Sequence, residues 1–111
     1  MPAAVLGQRT CRALPAGTPR LAPAEIDAYL EQVPGWEYKD GALSKTFAFK
    51  NYADAIGFAN SVAWIAQRED HHPEMLVGHD RCRIAYSTHS LGGISENDFI
   101  CAAKIEALCR L

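Results

Sequence analysis

Trp36 to Lys39 alternates apolar and polar residues, Asp40-Gly41 follows, and Leu43 to Phe49 alternates again. An Asp-Gly pair between two alternating runs specifies a tight β-hairpin, so the chain must contain antiparallel sheet. Phe47 and Phe49 then share one face, with Thr46 and Ala48 on the other. A second hairpin is predicted across Gly78-His79-Asp80, joining a strand from Glu74 to Val77 with one from Arg81 to Thr88. In it Cys82, Ile84 and Tyr86 would face the core, and Arg81, Arg83 and Ala85 would face away.

Helical patterns separate these strands. Pro23 suits a first helical turn, Ile26, Leu30 and Val33 follow at spacings of four and three, and Pro34-Gly35 ends the run. Asn51 caps a second helix, with Asp54 three residues on. Its Tyr52, Ala55, Ile56, Ala59, Ala63 and Ala66 form one apolar stripe, and Phe58, Val62 and Ile65 form a second. One stripe covers a sheet, so the second predicts contact with another copy of the chain. Pro73 stops this helix near Asp70. Ser95 starts the last helix, with Asp98 at its third position, Ile94 and Phe99 as a hydrophobic staple, and Phe99, Ala102, Ile105 and Cys109 as its buried stripe. The order α-β-β-α-β-β-α predicts an α+β fold, a four-stranded antiparallel sheet with helices packed on one face.

Composition bounds the function. The 111 residues, 49% hydrophobic and 22% charged, fit a single domain over 23–111. Residues 1–22 hold three prolines, two glycines and no periodicity, and read as a flexible tail, disordered or loosely docked. Arg9, Arg12 and Arg20 precede the first acid, Glu25, so the first 24 residues carry +3 and the rest −5. No concentrated basic surface suggests nucleic acid, no apolar run spans a membrane, and no signal-peptide core occurs, so a cytoplasmic protein is expected. Cys101 and Cys109 lie too far apart on a helix to pair, Cys82 falls in a strand and Cys11 in the tail, so no disulfide framework is expected.

Three of the four histidines, His71, His72 and His89, fall where regular elements end, and Glu69, Asp70 and Asp98 lie close by. Two histidines facing one ligand can act as acid and base near neutral pH. Loop histidines can also be mere surface residues. A metal site is a further reading, but His71, His72, His79, His89 and Cys82 lack any recognised ligand spacing. Asp98 supports the helix start and its dipole, and can touch a site as well. Trp36 and Trp64 are expected in core or interface.

Asp70-His71-His72-Pro73-Glu74, then Ser87-Thr88-His89-Ser90, then Gly93-Ile94-Ser95-Glu96-Asn97-Asp98 resemble pterin-4a-carbinolamine dehydratases. The resemblance runs from about Leu21 to the C-terminus and includes Gly35-Trp36 and Phe47-Ala48-Phe49. It implies an antiparallel four-stranded sheet with helices on one face, assembled as homodimers or homotetramers. It implies dehydration of 4a-hydroxytetrahydrobiopterin to the quinonoid dihydropterin, with no metal and no cofactor. By the same resemblance His71 and His89 are the acid–base pair and His72 holds the pterin. Asp70, Pro73, Ser87, Thr88, Ser90 and Asp98 line the site. Gln67, Met75 and Ser90 depart from familiar members. A dehydratase-like subgroup assists RuBisCO assembly in α-carboxysomes, and the altered rim and basic tail are compatible with that alternative.

Overall fold

A computed structural model describes residues 5–109. The elements follow the expected order: α1 (Pro23–Leu30), β1 (Glu37–Lys39), β2 (Ala42–Ala48), α2 (Tyr52–Glu69), β3 (Glu74–Val77), β4 (Arg81–Tyr86) and α3 (Glu96–Leu108). Short 3-10 turns form at Leu6–Gln8 and His89–Leu91. The strands make one antiparallel sheet in the order β1-β2-β4-β3.

Local chemistry explains the boundaries. Asp40 and Gly41 both take positive φ, 52° and 77°, the pairing that closes a two-residue hairpin with the right twist. Asn51 caps α2 by accepting the Asp54 amide at 2.8 Å. Leu43, Phe47, Cys82, Ile84 and Tyr86 fill the inner face of the sheet, while Arg81 and Arg83 face out. Ala85 also faces out, yet it is buried between its neighbours Ser44 and Glu74.

α2 covers the sheet with a single broad stripe. Ala55, Ala59, Val62, Ala66 and Glu69 are buried, and Phe58 and Ile65 pack against the core beside them. At 100° per residue these seven positions span an arc of about 120°. The expectation that Phe58, Val62 and Ile65 form a separate contact face is therefore corrected: Val62 has no exposed surface. Phe58 packs against Phe47 and Phe49 with tilted rings, 4.6 and 5.0 Å between centres. The alanines let the helix lie close, and the larger residues fill the space on one flank. Tyr52 and Ala63, expected in the buried stripe, face solvent. Trp64 stands on the opposite side of the helix, 71% exposed, whereas Trp36 is in the core as expected.

The N-terminal segment bears on a further expectation, that of a flexible tail. Residues 5–22 are short of regular structure but are docked. Leu6 is fully buried, and its amide donates to Gln32 Oε1 at 3.1 Å. Lys104 Nζ donates to the Gly7 carbonyl, Arg9 pairs with Glu96, and Asn97 exchanges hydrogen bonds with the backbone of Arg12. Specific polar partners on α3 replace the periodicity that the segment lacks. Its cover explains why α3 is buried without a break from Asn97 to Ala102. Cys109, expected in the buried stripe, is instead exposed just beyond the helix.

Candidate active site

Three element ends supply the site. Asp70 closes α2 in the left-handed conformation, φ 52° and ψ 42°, which Asp tolerates better than most residues. The Asp70 and His71 amides both reach back to the Ala66 carbonyl, a closed helix ending that turns His71 toward the start of α3. β4 ends at Tyr86, and Ser87 and Thr88 continue from it. The Thr88 amide then donates to the Gly93 carbonyl at 2.9 Å, folding the His89–Leu91 turn back so that Ser95 can open α3.

Asp98 joins these ends. Its carboxylate is fully buried and accepts three hydrogen bonds: from His71 Nε2 at 2.5 Å, from the Thr88 hydroxyl at 2.8 Å and from the Ser95 amide at 2.8 Å. Thr88 has one hydroxyl proton and donates it to Asp98, so the Ser95 hydroxyl, 2.7 Å away, donates to Thr88. A carboxylate acceptor fixes the proton of His71 on Nε2, which leaves Nδ1 as the nitrogen that titrates. The His71 ring stacks on Tyr86 with centres 5.2 Å apart. Burial lowers the His71 pKa, but the hydrogen bond and charge of Asp98, helped by Cys101 and Asp70, outweigh it and leave the pKa raised.

The expected residues fall into two groups. His71, Thr88 and Asp98 form one connected network. His72, His89, Asp70 and Ser90 are solvent-exposed, and Pro73 and Ser87 are half-buried around it. With no surface of its own, Asp98 can reach a bound molecule only through its side-chain partners, of which His71 keeps the more surface. It keeps its expected role at the start of α3 and adds a second. Sequence reasoning placed Tyr86 in the core without its contact to His71, although the strand alternation already set it on the covered face. It placed Ser95 at the helix start without its link to Thr88. His79 remains on the hairpin turn beside Asp80. Among the described residues no three His, Cys, Asp or Glu side chains cluster as a ligand set for a metal ion. A surface cleft of about 350 Å³ is lined by Arg20, Leu21, Ile26, Tyr38 and Ile94, none of them a site histidine. The hydrogen-bond chemistry at Asp98 singles out a site that cleft size does not.

These features define a class, a small α+β domain whose helix ends converge on a carboxylate-bound histidine. The chain belongs to the pterin 4 alpha carbinolamine dehydratase family, which matches residues 19–108. It is 48% identical over 104 residues to a protein of Nitrosomonas eutropha provisionally named pterin-4-alpha-carbinolamine dehydratase, covering 93% of this chain and 92% of that one. A protein of the same provisional name from Stenotrophomonas maltophilia K279a is 50% identical over 105 residues, covering 93% and 90%. A solved structure of a transcriptional coactivator/pterin dehydratase from Brucella melitensis superposes with a TM-score of 0.76 at 34% identity, covering 80% of this chain and 97% of that one. A pterin dehydratase-like protein identified as a RuBisCO assembly factor in the α-carboxysome superposes with a TM-score of 0.58 at 26% identity, covering 68% and 89%.

Proposed function

We propose that this chain dehydrates 4a-hydroxytetrahydrobiopterin to the quinonoid dihydropterin by histidine acid–base catalysis. The observation that carries the reading is the bond between His71 and the buried Asp98. A carboxylate behind the ring stabilises the imidazolium, so His71 is the acid. Its Nδ1 proton passes to the 4a-hydroxyl, the C4a–O bond breaks and water leaves. The N5 lone pair closes the N5=C4a bond, and the N5 proton goes to His89. His72 holds the pterin, and Asp70, Pro73, Ser87, Thr88 and Ser90 shape the rim. The four free thiols suit a reducing compartment such as the cytoplasm. Exposed Tyr52, Trp64 and Leu76 favour a homodimer or homotetramer, which light scattering would reveal.

His71→Ala and His89→Ala should each lower turnover of the carbinolamine by about 10²-fold or more, with the circular dichroism spectrum retained. Normal rates in both variants would remove the mechanism. A second reading is favoured by the similarity to the RuBisCO assembly factor. If the unmodified protein has no turnover and co-purifies with RuBisCO, that reading replaces the first.

A further inference from the structure

We propose that Cys11 and Cys101 form a reversible disulfide that fastens the N-terminal segment to the helix carrying Asp98. The two sulfurs are 3.5 Å apart in a hydrogen-bonded contact that joins residues 90 positions apart in sequence. A disulfide needs a separation of about 2.05 Å, so closure requires a movement of about 1.5 Å. The two partners divide that task. Cys101 is fully buried within α3 and fixed. Cys11 belongs to a stretch without helix or strand, so its backbone can yield. It is already held in place: its amide donates to Glu69 Oε1 at 2.8 Å, and its thiol contacts the Asn97 carbonyl at 3.5 Å.

Access is equally divided. Cys11 is half-buried, while Cys101 is fully buried. The oxidant class is a low-molecular-weight disulfide, RSSR. The hydrogen bond between the two sulfurs raises the Cys11 pKa and lowers that of Cys101. Cys101 as thiolate therefore draws off the Cys11 proton while the Cys11 sulfur attacks one of the oxidant's sulfurs. The RS–SR bond breaks, and the departing thiolate takes a proton from water as RSH. The Cys101 sulfur then attacks Cys11 Sγ, the mixed disulfide breaks, and the second thiolate takes the Cys101 proton. One S–S bond forms in the protein, one is consumed, and two RSH are released. Of the remaining cysteines, Cys82 is buried in β4 and Cys109 is exposed beyond α3.

The link falls one helical turn from Asp98, so it fastens the segment over the part of α3 that holds His71. It also closes a long loop, which disfavours the unfolded chain.

The test uses the full chain carrying Cys109→Ser, which removes the exposed competitor. Oxidised glutathione is added, and products are read by intact mass and non-reducing peptide mapping. The expected result is a loss of two hydrogens, a Cys11–Cys101 linked peptide, reversal by dithiothreitol, and a thermal midpoint raised by at least about 5 °C. Adding Cys11→Ser should abolish the link and the rise. Three results would overturn the proposal: a stable glutathione adduct on Cys11 with Cys101 still alkylatable, both thiols still alkylatable, or a linked protein that melts no higher than the reduced one.

Discussion

α2 and α3 pack on the same sheet under different conditions. α2 is covered on one side only: an arc from Ile65 to Ala59 meets the core, and Tyr52 and Trp64 face solvent. α3 is covered on both sides, by the sheet and by residues 5–22, so six consecutive residues from Asn97 to Ala102 are buried. The site combines the two. α3 supplies a carboxylate locked in place, and the end of α2 supplies a histidine that keeps some surface. Positioning comes from the doubly covered helix, and contact with a ligand comes from the end of the singly covered one.

If this division is right, damage to α3 should cost most. Asp98→Ala leaves His71 Nε2, the Thr88 hydroxyl and the Ser95 amide without their acceptor. We expect a loss of roughly 3–5 kcal/mol in urea unfolding. A loss below about 1 kcal/mol would mean that water readily replaces the carboxylate, and that α3 is not locked as described. Leu6→Ala tests the second cover. Leu6 is fully buried although it precedes every long element, and truncation should cost about 2–4 kcal/mol. A neutral effect would return residues 5–22 to the loose tail their composition suggests.

The same contrast shows where sequence was informative. Period, hairpin turns and helix starts gave the element order, since each rests on residues close in the chain: Asp40-Gly41, Asn51 with Asp54, Ser95 with Asp98. The histidines at element ends were visible for the same reason. The bond from His71 to Asp98 was not, because it joins residues 27 apart through the final fold, and helix-start chemistry already accounted for Asp98. The docking of Leu6 and Cys11 left no local trace, since it depends on side chains 26 to 90 residues away. The second stripe on α2 is not a separate face, because its larger residues and the buried alanines occupy neighbouring angles of one arc.

Acidity gives a smaller effect, confined to the meeting point of the two helices. The folded His71 pKa is raised above the ordinary 6.5, so the folded state holds that proton more tightly than the unfolded one. Its contribution is fully present below pH 6.5 and is lost as pH rises through the folded value. The difference in unfolding free energy between the wild type and His71→Gln should therefore shrink with rising pH across this window. A difference that grows would show that burial, not Asp98, controls the ring.

The smallest effect belongs to the uncovered side of α2. Trp64 is large and apolar, yet at 71% exposure it contributes little burial within one copy of the chain. A surface helix position of this kind changes stability by no more than about 0.5 kcal/mol when substituted. Trp64→Lys should accordingly leave the monomer's urea midpoint almost unchanged, in contrast to Leu6→Ala. It should act instead on association, because a charge placed on that face opposes burial against a second copy. Light scattering should then show a shift toward smaller species at the same concentration. A large loss of monomer stability would mean that α2, like α3, is packed on both sides, and the contrast between the helices would fail.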